Sequence, residues 1–160
     1  MSLTSHSPTM TTLAPVTAGV SKRNGTLLEH RVLPGGEWDR LVSTFDGVCQ
    51  EQLFAYASLR WPGVDLEPVL FSEADKVLGG ALVMLQRLPL GVATVALIKW
   101  GPFLAQSEGP DRDVVMERMI DTLVAEYASR RSMMVSIMSH AEAGEVNGMV
   151  EILAGRGFRP

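Results

Sequence analysis

Residues 66–99 decide the fold class, and they read LEPVLFSEADKVLGGALVMLQRLPLGVATVALIK. Two short turn signals, at 73–76 and 89–91, divide this stretch into apolar segments rich in residues that favour strands. The segments predicted as strands are 66–72, 77–88 and 92–99. Because turns this short join antiparallel neighbours, the stretch predicts three adjacent antiparallel strands.

The segment before this stretch predicts one strand and two helices. Residues 27–33 form a short apolar strand that is ended by Pro34-Gly35-Gly36. A first helix is predicted for 37–45, where apolar residues recur at spacings of three and four. A second helix is predicted for 51–61, ended by Pro62-Gly63.

The segment after it predicts two further helices with a strand between them. The first helix is 111–130, with Asp111 as its N-cap, and the last is 146–156, with Gly157 at its C-terminal cap. Residues 132–139 are almost wholly apolar, which is typical of a strand covered on both faces. We therefore expect this strand to lie centrally, paired on both edges. Its residues expected in the core are Met133, Met134 and Met138.

The composition is that of an ordinary globular domain and excludes several functions. The 160 residues carry a formal net charge of -4 without a long run of either sign, so a broad surface for duplex nucleic acid is not indicated. Cys49 is the only cysteine, which excludes an intramolecular disulfide and a multi-cysteine zinc site. No metal site is predicted, and a reducing, cytoplasmic location fits best.

Residues 1–25 are rich in Ser, Thr, Pro and Ala and predict a disordered lead-in to one domain, residues 26–160. Lys22 and Arg23 stand at the end of this lead-in, which reverses the charge order of a secretory signal. The most apolar internal stretch, 77–100, is interrupted by polar residues, Pro and Gly, so no membrane span is predicted.

The order of elements, β-α-α-β-β-β-α-β-α, and several local motifs are similar to those of a known family. The motifs are Trp38 opening the first helix, Gln50 before the second, Phe54 and Trp61 on it, Gly79-Gly80 in the long strand, KWGP at 99–102 and GRGF at 155–158. The order resembles the GNAT acyltransferase fold, and the motifs resemble its FemAB-like branch, in which two GNAT-like domains are joined in one chain. The resemblance covers residues 37–158. It implies an α/β fold with a mixed, mostly antiparallel sheet flanked by helices.

This resemblance implies that the chain is the N-terminal GNAT-like half of a transferase. The fold continues with two closing strands, so the sheet is expected to be truncated at Pro160 and to be followed by a second GNAT-like domain. FemAB-like enzymes form amide bonds by aminoacyl or acyl transfer to an amine. The donor would be aminoacyl-tRNA or acyl-CoA, and the acceptor a peptidoglycan precursor or an exopolysaccharide. The half alone is expected to be inactive.

Residue chemistry within the resemblance points to a substrate groove. The residues expected to line it are Gln50, Tyr56, Arg60, Trp61 and Lys99. Tyr and Trp offer apolar faces with polar tips, and Arg offers a planar fork for phosphate. The peptidoglycan branch has a basic residue near Tyr56, and Arg60 one turn on is the candidate substitute, which leaves an exopolysaccharide-type acceptor open. The alternatives are a core position for Trp61 and a surface ion pair for Arg60.

No cofactor is expected in this half of the enzyme. The pyrophosphate of acyl-CoA needs backbone N–H groups of a Gly-rich loop at a helix start. The loop before residues 111–130 has Gly109, but Pro110, Asp111 and Asp113 follow. Their negative charge suits the helix dipole rather than a phosphate.

No catalytic residue is assigned from the sequence. His140, near Glu142 and Glu145, is a candidate general base, but no nucleophile accompanies it and a loop histidine is the preferred interpretation. Cys49 is expected to be a small buried hydrophobe. The alternative to a transferase is a non-catalytic GNAT-like binding module that forms a homodimer through an open edge of the 132–139 strand.

Overall fold

In the part of the chain that the structure describes, six strands form one mixed sheet, and helices lie against both of its faces. The computed structural model describes residues 26–106, 108–139 and 148–159. The strands are β1 (Glu29–Val32), β2 (Asp65–Glu73), β3 (Lys76–Arg87), β4 (Thr94–Lys99), β5 (Phe103–Leu104) and β6 (Met134–Met138). Their order is β1-β2-β3-β4-β6, and β5 pairs with β3 beyond the end of β4. The described pairs are antiparallel except β4 with β6, which confirms the predicted sheet type.

The helices follow the predicted order. They are α1 (Gly35–Val42), α2 (Phe54–Arg60), α3 (Arg112–Leu123) and α4 (Gly148–Gly155), with 3-10 turns at Gln50–Gln52 and Pro89–Gly91 and a π-helix at Val124–Arg130. The sequence-based order lacks only β5, whose two residues are too few to give a periodic signal. No helix in the described ranges is both long enough and apolar enough to cross a bilayer.

The predicted meander of residues 66–99 is confirmed as β2, β3 and β4. Ala74 and Asp75 join β2 to β3, and both have left-handed backbone, with φ of 46° and 65°. Two consecutive residues with positive φ are typical of the tight turns that join antiparallel strands. β1 then pairs with β2 on the far edge of this meander.

Helices α1 and α2 cover one face of the sheet. Trp38 of α1 is fully buried and packs in the same cluster as Leu70 and Leu82 of the strands. Gly80 of β3 lies under the indole, and a Cβ added there would be 2.6 Å from Trp38 Cη2. A glycine in this buried strand therefore lets the tryptophan reach the sheet.

The prediction of one helix over residues 51–61 places the start of the helix wrongly. The Gln50–Gln52 turn comes first, Leu53 is extended, and α2 starts at Phe54. Asp39 of α1 accepts hydrogen bonds from the backbone N–H of Phe54 at 2.6 Å and of Ala55 at 2.9 Å. The start of α2 is thus set by a side chain of another helix, which local sequence signals do not contain.

Helix α3, the π-helix and α4 cover the other face of the sheet. Their buried apolar side chains include Met119, Ile120, Leu123, Tyr127 and Leu153. Arg156, just after α4, joins this helix to α3 through Asp121 at 2.6 Å and Glu117 at 3.1 Å. Gly157 has the positive φ of 82° expected of a C-terminal cap.

The predicted helix over residues 111–130 is corrected in two respects. Only α3 is a regular α-helix, and the chain continues from Val124 as the π-helix. Asp111 makes no side-chain capping hydrogen bond, and its backbone (φ -99°, ψ 9°) is not in the extended conformation that a capping side chain uses.

The expectation that residues 132–139 form a central strand, paired on both edges, is wrong. In the described part of the chain β6 pairs with β4 alone, and Met134 and Met138 are 55% and 45% exposed. Met133, Val135 and Ile137 do pack on the α3 side. The other face of β6 is open because α1 and α2 lie over β2, β3 and β5 instead. An apolar sequence predicts a strand, but it does not predict which elements cover the two faces of that strand.

Several predictions concern residues outside the described ranges. These are the disorder of residues 1–25, the interpretation of His140, Glu142 and Glu145, and the first two residues of the predicted 146–156 helix.

Candidate functional site

The candidate site surrounds a bulge at the end of β4. Val83 of β3 pairs with Ile98, whereas Gly80 pairs with Phe103. The step along β3 is three residues and the step along the facing segment is five, so two extra residues bulge out of the ladder. Trp100 within this bulge has a left-handed backbone, with φ of 53°. Bulges re-aim side chains at sheet edges and beside functional sites.

Gln52 fills the gap that the bulge opens in the sheet. Its Oε1 accepts a hydrogen bond from the backbone N–H of Leu82 at 3.0 Å, and its Nε2 donates one to the carbonyl of Lys99. Gly101 packs against the same amide, since an added Cβ would be 3.2 Å from Nε2. The side-chain amide of Gln52 thus takes the place of a backbone peptide and satisfies two groups that lie inside the sheet.

Glu51 and Trp61 hold the side chain of Lys99. The ammonium of Lys99 lies 3.3 Å from Glu51 Oε2 and 4.2 Å from the centroid of the Trp61 ring. The side chains of Lys99 and Glu51 are 20% and 10% exposed. Solvent screens an ion pair shielded in this way less than a surface pair, and the ring face adds a favourable contact for the cation.

Tyr56 and Arg60 complete the cluster on α2. The Tyr56 ring meets the Trp61 ring edge-on at 6.3 Å, and the guanidinium carbon of Arg60 lies 5.7 Å from the Trp61 centroid. Arg60 is exposed and makes no ion pair within the described ranges. Lys99 and Arg60 bring two positive charges and Glu51 brings one negative charge, so the cluster has a formal charge of +1.

The structure brings together four of the five predicted site residues. They are Tyr56, Arg60, Trp61 and Lys99. Gln50 opens the 50–52 turn and is exposed, and its side chain has no contact with the cluster among the described interactions. Trp61 also borders the α1–α2 core, which agrees with the core interpretation, and its role in a substrate groove stays a prediction.

Sequence reasoning missed Glu51 and Gln52. Both are buried, at 8% and 1% exposure, beside the exposed Gln50. Three consecutive polar residues before an apolar helix were the available signal. Which of them turn inward depends on a 3-10 turn that no periodicity predicts. Cys49, expected to be buried, is only half-buried.

An open cleft lies on the other side of the bulge. Its volume is about 230 Å³, and Trp100, Gly101 and Pro102 form one wall. Arg112 at the start of α3 contributes a cationic side chain to it. The Lys99 ammonium is 6.0 Å from the Trp100 ring centroid, so the bulge separates the cluster from the cleft by one side chain.

A second polar network lies outside this site. Tyr127 donates a hydrogen bond to Glu67 at 2.6 Å, and Arg131 donates two to the same carboxylate at 2.7 and 3.0 Å. Burial raises the pKa of Tyr127 above its usual range, and the Glu67 carboxylate raises it further. Burial opposes the ionisation of Glu67, but the hydrogen bonds from Arg131 and Tyr127 outweigh it and hold the pKa of Glu67 below its usual value. No buried side-chain polar atom of the described residues lacks a hydrogen bond, and the network joins β2 to the end of the π-helix.

Comparison with known proteins gives a match in structure alone. No protein-family model matches the sequence, and no curated protein matches it. The fold is similar to that of the crystal structure of FemX, with a TM-score of 0.62 and 16% sequence identity. The match covers 82% of this chain and 32% of the FemX chain, so this chain spans about a third of the length of FemX.

The FemX match confirms the FemAB-like resemblance at the level of the fold. The chain has the architecture of part of a FemAB-like protein, with a mixed, mostly antiparallel sheet flanked by helices. At this sequence identity the match shows the fold alone. The features of this chain that bear on function are the side chains clustered around Trp61.

Proposed function

We propose that this domain is the substrate-binding part of a FemAB-like transferase that joins an aminoacyl or acyl group to an amine. The observation that carries the proposal is the convergence of Tyr56, Arg60, Trp61 and Lys99 beside the β4 bulge. Residues from α2 and from β4, about forty positions apart in the chain, build one cationic and aromatic surface there. The FemX-like fold supports the same class of function.

The substrate that this cluster suits carries a phosphate or another anionic group next to an apolar or sugar moiety. Arg60 is exposed and offers a planar fork of N–H donors, and Lys99 offers an ammonium at the same Trp61 ring. Tyr56 contacts Trp61 near the position where the peptidoglycan branch has a basic residue, and Arg60 one turn on is the proposed substitute for that cation. We propose an envelope precursor as the acceptor, either of peptidoglycan or of an exopolysaccharide.

The donor and the partner domain belong to the same proposal. Aminoacyl-tRNA or acyl-CoA would supply the transferred group. A second GNAT-like domain would bind the donor, because Asp111 before α3 and Asp113 in its first turn leave net negative charge at this helix start despite Arg112 between them. The expected activity is amide formation when this domain and a second GNAT-like domain act together, and none by this domain alone.

The binding step is tested by titrating the chain with a nucleotide-linked peptidoglycan precursor and, separately, with an amine-bearing polysaccharide fragment. Arg60→Gln and Lys99→Met each remove a charged hydrogen-bond donor, worth about 1.5–3 kcal/mol, so affinity should fall roughly tenfold or more. Arg31→Gln is the matched control, because Arg31 is exposed on β1 away from the cluster. Equal affinity of all three variants for both ligands would refute the proposal.

The alternative function is a non-catalytic binding module that dimerises through β6. The open edge of β6 and the exposed Met134 and Met138 favour it. The form of self-association separates the two functions, since a discrete dimer favours the binding module and larger aggregates favour the transferase part.

A further inference from the structure

Lys99 is held at both of its ends by adjacent residues of one short turn. Gln52 binds the backbone carbonyl of Lys99, and Glu51 binds its ammonium at 3.3 Å. A lysine side chain has four flexible carbons and normally samples many rotamers. Holding the carbonyl and the ammonium from one rigid support restricts both ends of that flexible stem.

The 50–52 turn is itself fixed to the core of the domain. The indole N–H of Trp38, a residue with no exposed surface, donates a hydrogen bond to the carbonyl of Gln52 at 2.8 Å. The Leu82 N–H donates to Oε1 of Gln52 at 3.0 Å, at a place where neither β4 nor β5 pairs with β3. The support for Lys99 therefore rests on α1 and β3 rather than on a surface loop.

We propose that Glu51 and Gln52 are positioning residues for Lys99. Gln52 fixes its backbone at the bulge, and Glu51 fixes its ammonium over the ring of Trp61, so that the ammonium is presented to an anionic group of the substrate. An ammonium has three N–H donors, and one bond to Glu51 leaves donors for a ligand. The role of Lys99 in ligand binding rests on the proposed function, whereas its placement by the turn does not.

The proposal makes a prediction opposite in sign to simple electrostatics. Glu51→Gln raises the formal charge of the cluster from +1 to +2, so charge alone would strengthen the binding of an anion. If Glu51 positions Lys99, the same change releases the ammonium. Binding is then weaker, because the entropic cost of ordering the Lys99 side chain must be offset by the interaction with the ligand.

The placement is tested by NMR of the lysine side chains. The chain has three lysines, Lys22, Lys76 and Lys99, so their methylene signals are easily assigned. The Lys99 signal should be shifted upfield by the Trp61 ring in the wild type, and Glu51→Gln should move it most of the way to the position of the Lys76 signal. Glu51→Asp should retain part of the shift. An unchanged Lys99 shift in Glu51→Gln would overturn the proposal.

Gln52 is buried, and its variants would disturb folding, so its role is tested in the wild-type protein. Amide hydrogen exchange at Leu82 should be slow, as for the paired strand residue Val83. Exchange at Leu82 as fast as at the exposed Val92 would show that Gln52 does not hold the bulge.

The consequence for binding is tested by titrating inorganic pyrophosphate. Glu51→Gln should weaken its binding several-fold, with partial rescue by Glu51→Asp. Glu37→Gln is the matched control, because it makes the same change in net charge at an exposed position of α1. If Glu51→Gln bound pyrophosphate as tightly as the wild type or more tightly, the proposal that Glu51 presents Lys99 to an anion would be wrong. If wild type bound no anion and Glu51→Gln still moved the Lys99 signal, the proposed function would fail and the placement of Lys99 would be supported.

Discussion

Glu67 of β2 accepts three hydrogen bonds, one from Tyr127 and two from Arg131, and its ionised form is favoured in the folded chain. Since the pKa of Glu67 is lowered from 4.5 by folding, its contribution to stability is complete above that value. The contribution is lost as the pH falls through the lower pKa of the folded state. Lowering the pH should therefore weaken the hydrogen bonds and the ion pair that connect β2 to the end of the π-helix.

Glu67→Gln tests this pH dependence. We expect a loss of about 1–3 kcal/mol in the free energy of unfolding at pH 7, between the values for exposed and buried ion pairs. The loss should be smaller at pH 3.5, because below the ordinary pKa of 4.5 the carboxyl group is mostly protonated in the unfolded chain and its contribution to stability is no longer complete. Urea denaturation at the two pH values measures it, with Glu29→Gln as a control at an exposed position of β1. A loss that is the same at both pH values would contradict the assignment.

At the residue scale the sequence identified most of the candidate site but not its supports. Tyr56, Arg60, Trp61 and Lys99 stand out because aromatic side chains with polar tips and cationic side chains are the residue types that suit a substrate groove. Gln52 does not stand out, because a glutamine that replaces a backbone peptide is indistinguishable in sequence from one at the surface.

At the scale of elements, α2 is the one on which the site depends. It carries Tyr56 and Arg60, Trp61 directly follows its last residue, and its first two N–H groups are bound by Asp39 of α1. An unsatisfied helix start costs about 0.5–2 kcal/mol. The position at which α2 starts should therefore depend on the carboxylate of Asp39 in α1.

Asp39→Ala removes both acceptors. We expect a loss of about 1–2 kcal/mol in the free energy of unfolding, with faster amide exchange at Phe54 and Ala55. Asp39→Asn keeps one acceptor oxygen and should recover part of the loss. Glu37→Ala, on the same helix without a role at α2, should leave the exchange rates unchanged. Slow exchange at Phe54 in Asp39→Ala would mean that the cap does not define the helix start.

The meander was predictable at this scale, whereas β5 and the start of α2 were not. Strands β2 to β4 are long and separated by short turns, so their pattern is strong. β5 has two residues and exists only because β3 extends past the end of β4. Its pairing is a property of the sheet and not of its own sequence.

At the scale of the whole molecule, the described sheet has an edge without protection. β6 carries no charge, proline or bulge, and Met134 and Met138 are exposed beside it. Natural sheets usually protect such edges, because an open edge pairs with another chain. Self-association through β6 is therefore the expected behaviour of the chain in solution.

Light scattering after size-exclusion chromatography tests this expectation. The double variant Met134→Lys with Met138→Lys should shift the chain towards the monomer, because charge on an edge strand opposes pairing. Leu90→Lys is the control, since Leu90 is 99% exposed in the turn before β4. A discrete dimer would support the binding-module alternative, and larger aggregates would support an edge that another domain covers. A wild-type monomer would contradict both.

The sequence by itself determined the order of elements, the meander and the family resemblance, because turn residues and apolar periodicity act over a few neighbouring positions. It also named most of the residues around Trp61. Only the tertiary structure decided that β6 lies at an edge, that α2 begins at Phe54 and that Gln52 and Glu51 hold Lys99. These features depend on contacts between residues from 15 to 48 positions apart, and such contacts leave no local pattern.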